Sequence, residues 1–162
     1  MTNREFFLRC WHQEHPTFLK VLRAVPPDGL TYRPDPRSRS AAELVWLQVL
    51  EKGCWFELLE TGEINWNVTP PPPGLGEMLQ AYERTHAELA PRLAAIDDRR
   101  WDTQPTRFLI DGRVYIEVTL GHMFWIGLFD AIHHRGQLSV YLRPMGAKVP
   151  AIYGPSGDDP AL

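Results

Sequence analysis

The sequence is short of the features that most directly announce a function. It has two cysteines in 162 residues, Cys10 and Cys54. A pair so far apart builds no disulfide framework and forms no C-x-x-C motif. No run approaches the ~18 apolar residues of a membrane span. No signal-peptide pattern opens the chain, so a reducing cytoplasm is the expected compartment. Positive charge is not in excess, with 17 Lys and Arg against 20 Asp and Glu and a net charge of −3. A protein that neutralises phosphates is normally basic, so nucleic acid is not an expected partner. There is no internal repeat. There is no phosphate loop either, because Pro73-Gly74-Leu75-Gly76 lacks the Lys-Ser/Thr that completes one. No G-x-S-x-G marks a serine nucleophile.

What is present is ordinary globular composition, 44% hydrophobic and 23% charged. The length suits one domain over 1–162, and such a chain buries about 70% of its unfolded surface without help from metal or disulfide. Twelve of the fifteen prolines cluster at Pro26-Pro27, Pro34 and Pro36, Pro70 to Pro73 and from Pro144 to Pro160. They leave long segments between them, because proline stops regular elements.

Those segments carry helical periodicity. Residues 3–25 place Phe6, Phe7, Cys10, Trp11, Phe18, Val21, Leu22 and Val25 at spacings mostly of three and four, with Pro16 inside the run as the expected site of a kink near His12 or His15. Residues 30–39 read as an extended connection. Ser40 and Glu43 form a capping box, and Gly62 ends the helix they open. Residues 63–73 read as a loop, 75–97 as a third helix containing Pro91, and 117–143 as a fourth. Asp111-Gly112 between apolar runs predicts a short hairpin over 107–116. The tail from Lys148 is irregular and expected to fold back over the helices. The fold class read from this is all-α, a four-helix bundle.

Bundles build their sites from polar groups that project inward. The fourth helix has the densest set: His122, Asp130, His133, His134 and Gln137. Asp130 and His134 stand at i, i+4, so they share a face and can chelate one divalent ion. His133 points about 100° away. A third ligand has to come from another helix, and the second offers Gln48 and Glu51. Such pairs are common on solvated faces, but Phe129 and Ile132 flank Asp130. Asp130 can also simply accept a hydrogen bond from His134. His12, His15 and His86 read as surface or boundary histidines, Cys54 as a small core residue, and Arg33, Arg37 and Arg39 as a solvated loop.

The run His133-His134-Arg135-Gly136-Gln137-Leu138-Ser139-Val140-Tyr141-Leu142-Arg143, then Gly146 and Val149 to Ser156, resembles the DinB-like superfamily. So does the block Tyr32 to Leu44 that leads into the second helix. The resemblance implies an up-down-down-up four-helix bundle, often a homodimer, with a divalent metal held by three histidines: one on the second helix and an H-x3-H pair on the last. It implies that some members transfer or isomerise with a low-molecular-weight thiol. Carried over, the second histidine of H-x3-H is His134, the first position holds Asp130, and the second-helix position holds Leu47 beside Gln48. The resemblance thus yields Asp130, His134 and Gln48 as ligands for zinc or nickel. Trp46, Leu47, Glu51, His122, Trp125 and His133 are the expected pocket around them. Two functions follow: a metal-dependent thiol transferase or hydrolase-type enzyme with an altered site, or a metal-free, dimeric small-ligand-binding bundle.

Overall fold

The computed structural model describes residues 1–160. Its elements are α1 (Asn3–Arg23), a 3-10 turn (Pro27–Gly29), α2 (Ala41–Thr61), β1 (Glu63–Asn65), α3 (Leu75–Ala94), α4 (Asp98–Thr103), β2 (Pro105–Ile110), β3 (Arg113–Thr119) and α5 (Leu120–Leu142). The ends of α2 follow local chemistry. The Glu43 amide donates to the Ser40 hydroxyl at 3.2 Å and the Ser40 amide donates to the Glu43 carboxylate at 2.6 Å. Gly62 closes the helix at a φ of 80°, a left-handed value that suits glycine. Thr2 and Glu5 make the same box on α1. Both α1 and α3 continue past their internal prolines, Pro16 and Pro91.

Four long helices pack side by side. α2 lies against α3 and α5, and α1 against the same two helices. Their shared core includes Phe7, Leu22, Leu44, Leu58, Leu89 and Phe124, each almost wholly buried. Among the described residues, no helix is long and apolar enough to cross a membrane.

The chain is mostly helical, and the all-α expectation with a short hairpin is corrected by a three-stranded sheet of order β1-β2-β3. The expected hairpin is present but longer than 107–116. Asp111 and Gly112 turn it with φ values of 49° and 72°, the pair of left-handed residues that a type I′ turn needs. β3 takes 117–119, which periodicity had given to the last helix. β1 lies in the segment read as a loop and pairs parallel with β2, Ile64 opposite Phe108. Three residues carry no readable alternation, and only β2 gives them partners. The short α4 was also unforeseen. Asp97 caps it, accepting from the Arg100 amide at 2.7 Å, and it buries Trp101 against α5. There a side chain on Gly121 would meet the indole at 2.2 Å.

The tail folds back as expected. Asp158 accepts from the Val149 amide at 3.0 Å and from Arg143 at 2.9 Å. Arg135, 1% exposed, ties α5 to the rest: it pairs with Glu14 of α1, donates to the Tyr153 hydroxyl at 2.6 Å, and lies over the Phe18 ring. A buried guanidinium held this way is costly to leave unpaired.

Candidate metal centre

α5 presents Asp130 and His134 one turn apart, and α2 presents Glu51 to them. His134 Nε2 lies 3.2 Å from Glu51 Oε1 and 3.6 Å from Asp130 Oδ1. One ligand atom from each of the three residues lies within 4.8 Å of the other two. Two ligands each about 2.1 Å from one ion at a tetrahedral angle sit about 3.4 Å apart. The observed spacings bracket that value.

The electrostatics point the same way. Glu51 is 7% exposed, and neither of its carboxylate oxygens has a well-formed hydrogen bond. Burial pushes its carboxyl well above the ordinary carboxylate range; the Asp130 charge adds to this, and Arg39 pulls against it. His134 completes the picture. Its Nδ1 sits 3.0 Å from the Gln137 amide oxygen, which only accepts, so Nδ1 carries the proton. Nε2 then offers a lone pair toward Glu51 and Asp130. With Nε2 unprotonated, three acceptors face one another, which is the arrangement a cation resolves; an imidazolium would instead donate from Nε2 to the two carboxylates. The Gln137 amide also donates to His133 Nε2 at 3.0 Å, so one side chain orients both imidazoles.

Several expected site residues are elsewhere. Gln48 is not in the cluster: its amide donates to the Ala131 carbonyl at 3.2 Å, which pins it to the α5 backbone. Glu51, expected as a pocket residue, takes the place facing the Asp130–His134 pair. Trp46 turns away from the centre and its indole donates to Thr69 at 3.0 Å. Trp125 lies about 140° round α5 from Asp130 and its indole donates to Asn3 at 3.0 Å. His122 is exposed, about 12 Å up the helix axis from Asp130.

A cavity of about 560 Å³ opens beside the centre, between α2, α5 and the sheet. Leu47, His133 and the three clustered residues line it, as expected. The sheet supplies a wall that sequence reading missed, with Ile64, Trp66, Phe108, Tyr115 and Ile116. Cys54 of α2, read as core, is half-buried and lines the cavity from the helix side, and burial pushes its thiol pKa up. Arg39 stands at the edge. Gln137 was legible three residues after His134 as the group able to orient it. The sheet wall and Arg39 carried no local signal.

The model of the DinB family matches residues 1–161. The chain belongs to the DinB family. Solved structures similar to this DinB chain include a DinB-like protein from Bacillus cereus ATCC 10987. It is 20% identical, with a TM-score of 0.76, over 92% of this chain and 97% of that one. A DinB-like protein from Bacillus subtilis is 18% identical, with a TM-score of 0.67, over 88% and 93%. These likenesses establish a shared DinB-like fold. No curated protein matches the chain.

Proposed function

We propose that this DinB-family chain is a metal-dependent enzyme of the thiol-transferase or hydrolase type, with a divalent ion, zinc or nickel, held by Glu51, Asp130 and His134. The observation that carries this reading is the buried Glu51 carboxylate without a hydrogen-bond donor, facing Asp130 and the lone pair of His134. When bound, such an ion supplies Lewis acidity and lowers the pKa of a water or thiol. The chain's own residues do the rest. Gln137 holds the His134 tautomer. Leu47 and the sheet wall set hydrocarbon beside the centre, and Asp130, with a side chain 56% exposed, leaves it open to solvent on the other side. His133 lines the cavity with its Nε2 held by the Gln137 amide. The up-down-down-up helix order, the single domain, the homodimer and the thiol partner belong to this proposal.

A second reading has one observation in its favour. The raised Glu51 carboxyl beside Asp130 can share a proton with it, which fills the gap without metal and leaves a ligand-binding cavity. Elemental analysis of tag-free protein separates the two. The enzyme reading expects about one divalent ion per chain, and zinc-dependent transfer of a low-molecular-weight thiol onto a chromogenic aryl chloride, with release of chloride and a proton. Protein that takes up no ion from excess zinc or nickel supports the second reading and ends the first.

A further inference from the structure

Arg39 is an exposed cation at the cavity edge without a partner among the described residues. It follows two other arginines in the segment before α2, and both are committed. Arg33 donates to the Glu43 carboxylate at 3.1 Å and to the Ser38 carbonyl at 2.8 Å. Arg37 pairs with Asp35 at 3.1 Å. The Arg39 side chain makes no ion pair and no hydrogen bond among the described residues. Its backbone carbonyl accepts from the Tyr141 hydroxyl at 3.1 Å, which fixes the residue at the cavity edge. From there its field reaches Glu51, whose carboxyl it stabilises in the charged form.

Away from Arg39, His133 and the Glu51–Asp130–His134 centre, the cavity wall is apolar and aromatic. Trp66 and Phe108 lie 5.8 Å apart on the sheet side, and Phe129 faces them from α5. The volume of about 560 Å³ is that of a drug-sized small-molecule site. The charges then decide what fits. Glu51 and Asp130 contribute two negative charges, a divalent ion cancels them, and a neutral His134 adds none. Arg39 is left as a surplus positive charge at the rim of a hydrocarbon-lined space. A guanidinium is a rigid donor fork suited to carboxylate, sulfonate or phosphate oxygens.

We infer that the cavity takes an amphipathic anion: an aromatic or alicyclic body against the Trp66–Phe108 wall, with one anionic group on Arg39. This inference deepens the metal-centre reading and rests on it for the charge sum. It excludes cationic ligands and disfavours neutral ones of the same shape.

Two fluorescent probes share a ring system and differ in charge, anilinonaphthalene sulfonate and neutral phenylnaphthylamine. Titrating both into the full chain, with and without zinc, tests the assignment. The expected result is sulfonate binding about tenfold tighter than the neutral probe. Arg39→Gln removes that difference and Arg39→Lys keeps most of it. Ile126→Trp fills the cavity and weakens both probes. Ile110→Glu at the rim weakens the sulfonate selectively, and keeps the test alive if the filled variant folds poorly. Equal affinity for the two probes overturns the inference, as does a difference that survives Arg39→Gln. Zinc binding without the Arg39-dependent difference refutes this ligand class and leaves the metal centre standing. An Arg39-dependent difference in protein that binds no zinc refutes the metal centre and overturns the charge sum on which the inference rests.

Discussion

Glu51 and Lys52 are consecutive, both buried, and sent by α2 into two different chemistries. On one side Glu51 meets Asp130 and His134, an all-acceptor cluster open to the large cavity. On the other, Lys52 lies against aromatic rings beside a small cavity that Gln48 and Glu51 also line. Its ammonium lies 3.5 Å from the Tyr82 ring centroid and 5.8 Å from that of Trp11. Beside it His15 and His86 stack at 3.6 Å. Burial holds the Lys52 pKa well below the usual lysine value. The space there is about 20 Å³, room for about one water. The basic side answers its own charge with aromatic faces. The acidic side leaves its charge unanswered next to a space that admits a ligand. Buried charge alone therefore marks neither region as functional; an unanswered charge with access does.

Substitutions should separate the two sides. The largest effect is expected from Glu51→Ala, which should weaken zinc binding by more than about 100-fold, beyond what loss of an orienting residue costs. Calorimetric titration reads this directly, and unchanged affinity would show that Glu51 is not a ligand. Gln137→Leu should weaken zinc by roughly 10- to 100-fold and leave the fold intact. An effect no larger than that of an exposed control substitution would remove Gln137 from the site. Zinc at about 100 times its Kd should raise stability by about 2.7 kcal/mol in the native chain and not in Asp130→Ala. Thermal melts compare the two.

The basic side should respond to pH and not to zinc. Burial, with the Lys52 charge adding to it, lowers His15 to about 4 and His86 to about 3. In the unfolded chain both return to about 6.5. Between these values the unfolded state binds protons that the folded state refuses. The stability owed to the neutral pair is thus complete above pH 6.5 and is lost as pH falls toward 4. Denaturant titrations from pH 7 to 4 should show that slope reduced in His86→Leu. An equal slope in the variant would place the acid sensitivity elsewhere. The smallest effect is expected from Lys52→Met, within about 1.5 kcal/mol, because an apolar chain of similar size replaces a poorly solvated charge. A loss of zinc binding in that variant would break the separation between the two sides.

The helices were legible because their signals are local: the Ser40–Glu43 box, Gly62, and the three-and-four spacing of Phe7, Trp11, Phe18 and Leu22. Asp111-Gly112 gave the hairpin for the same reason. The sheet was not, since β1 exists only through its pairing with β2, and Val118, which continues the alternation of Val114 and Ile116, also fits the apolar pattern of the last helix. In the site, Asp130 and His134 followed from spacing on one helix. Gln48 and Glu51 are three residues apart and about 60° from each other around α2, so periodicity does not choose between them. The choice is made across the interface, where the Ala131 carbonyl takes the Gln48 amide and leaves Glu51 facing the pair. The cavity walls needed the sheet, so neither they nor the role of Arg39 could be read from the chain.

The most direct test is an anomalous-scattering map from crystals of the full chain grown with zinc. The account predicts one strong peak within coordination distance of Glu51, Asp130 and His134, with Gln137 still on His134 Nδ1. No peak there at saturating zinc, with Glu51 and Asp130 sharing a proton in its place, would contradict it.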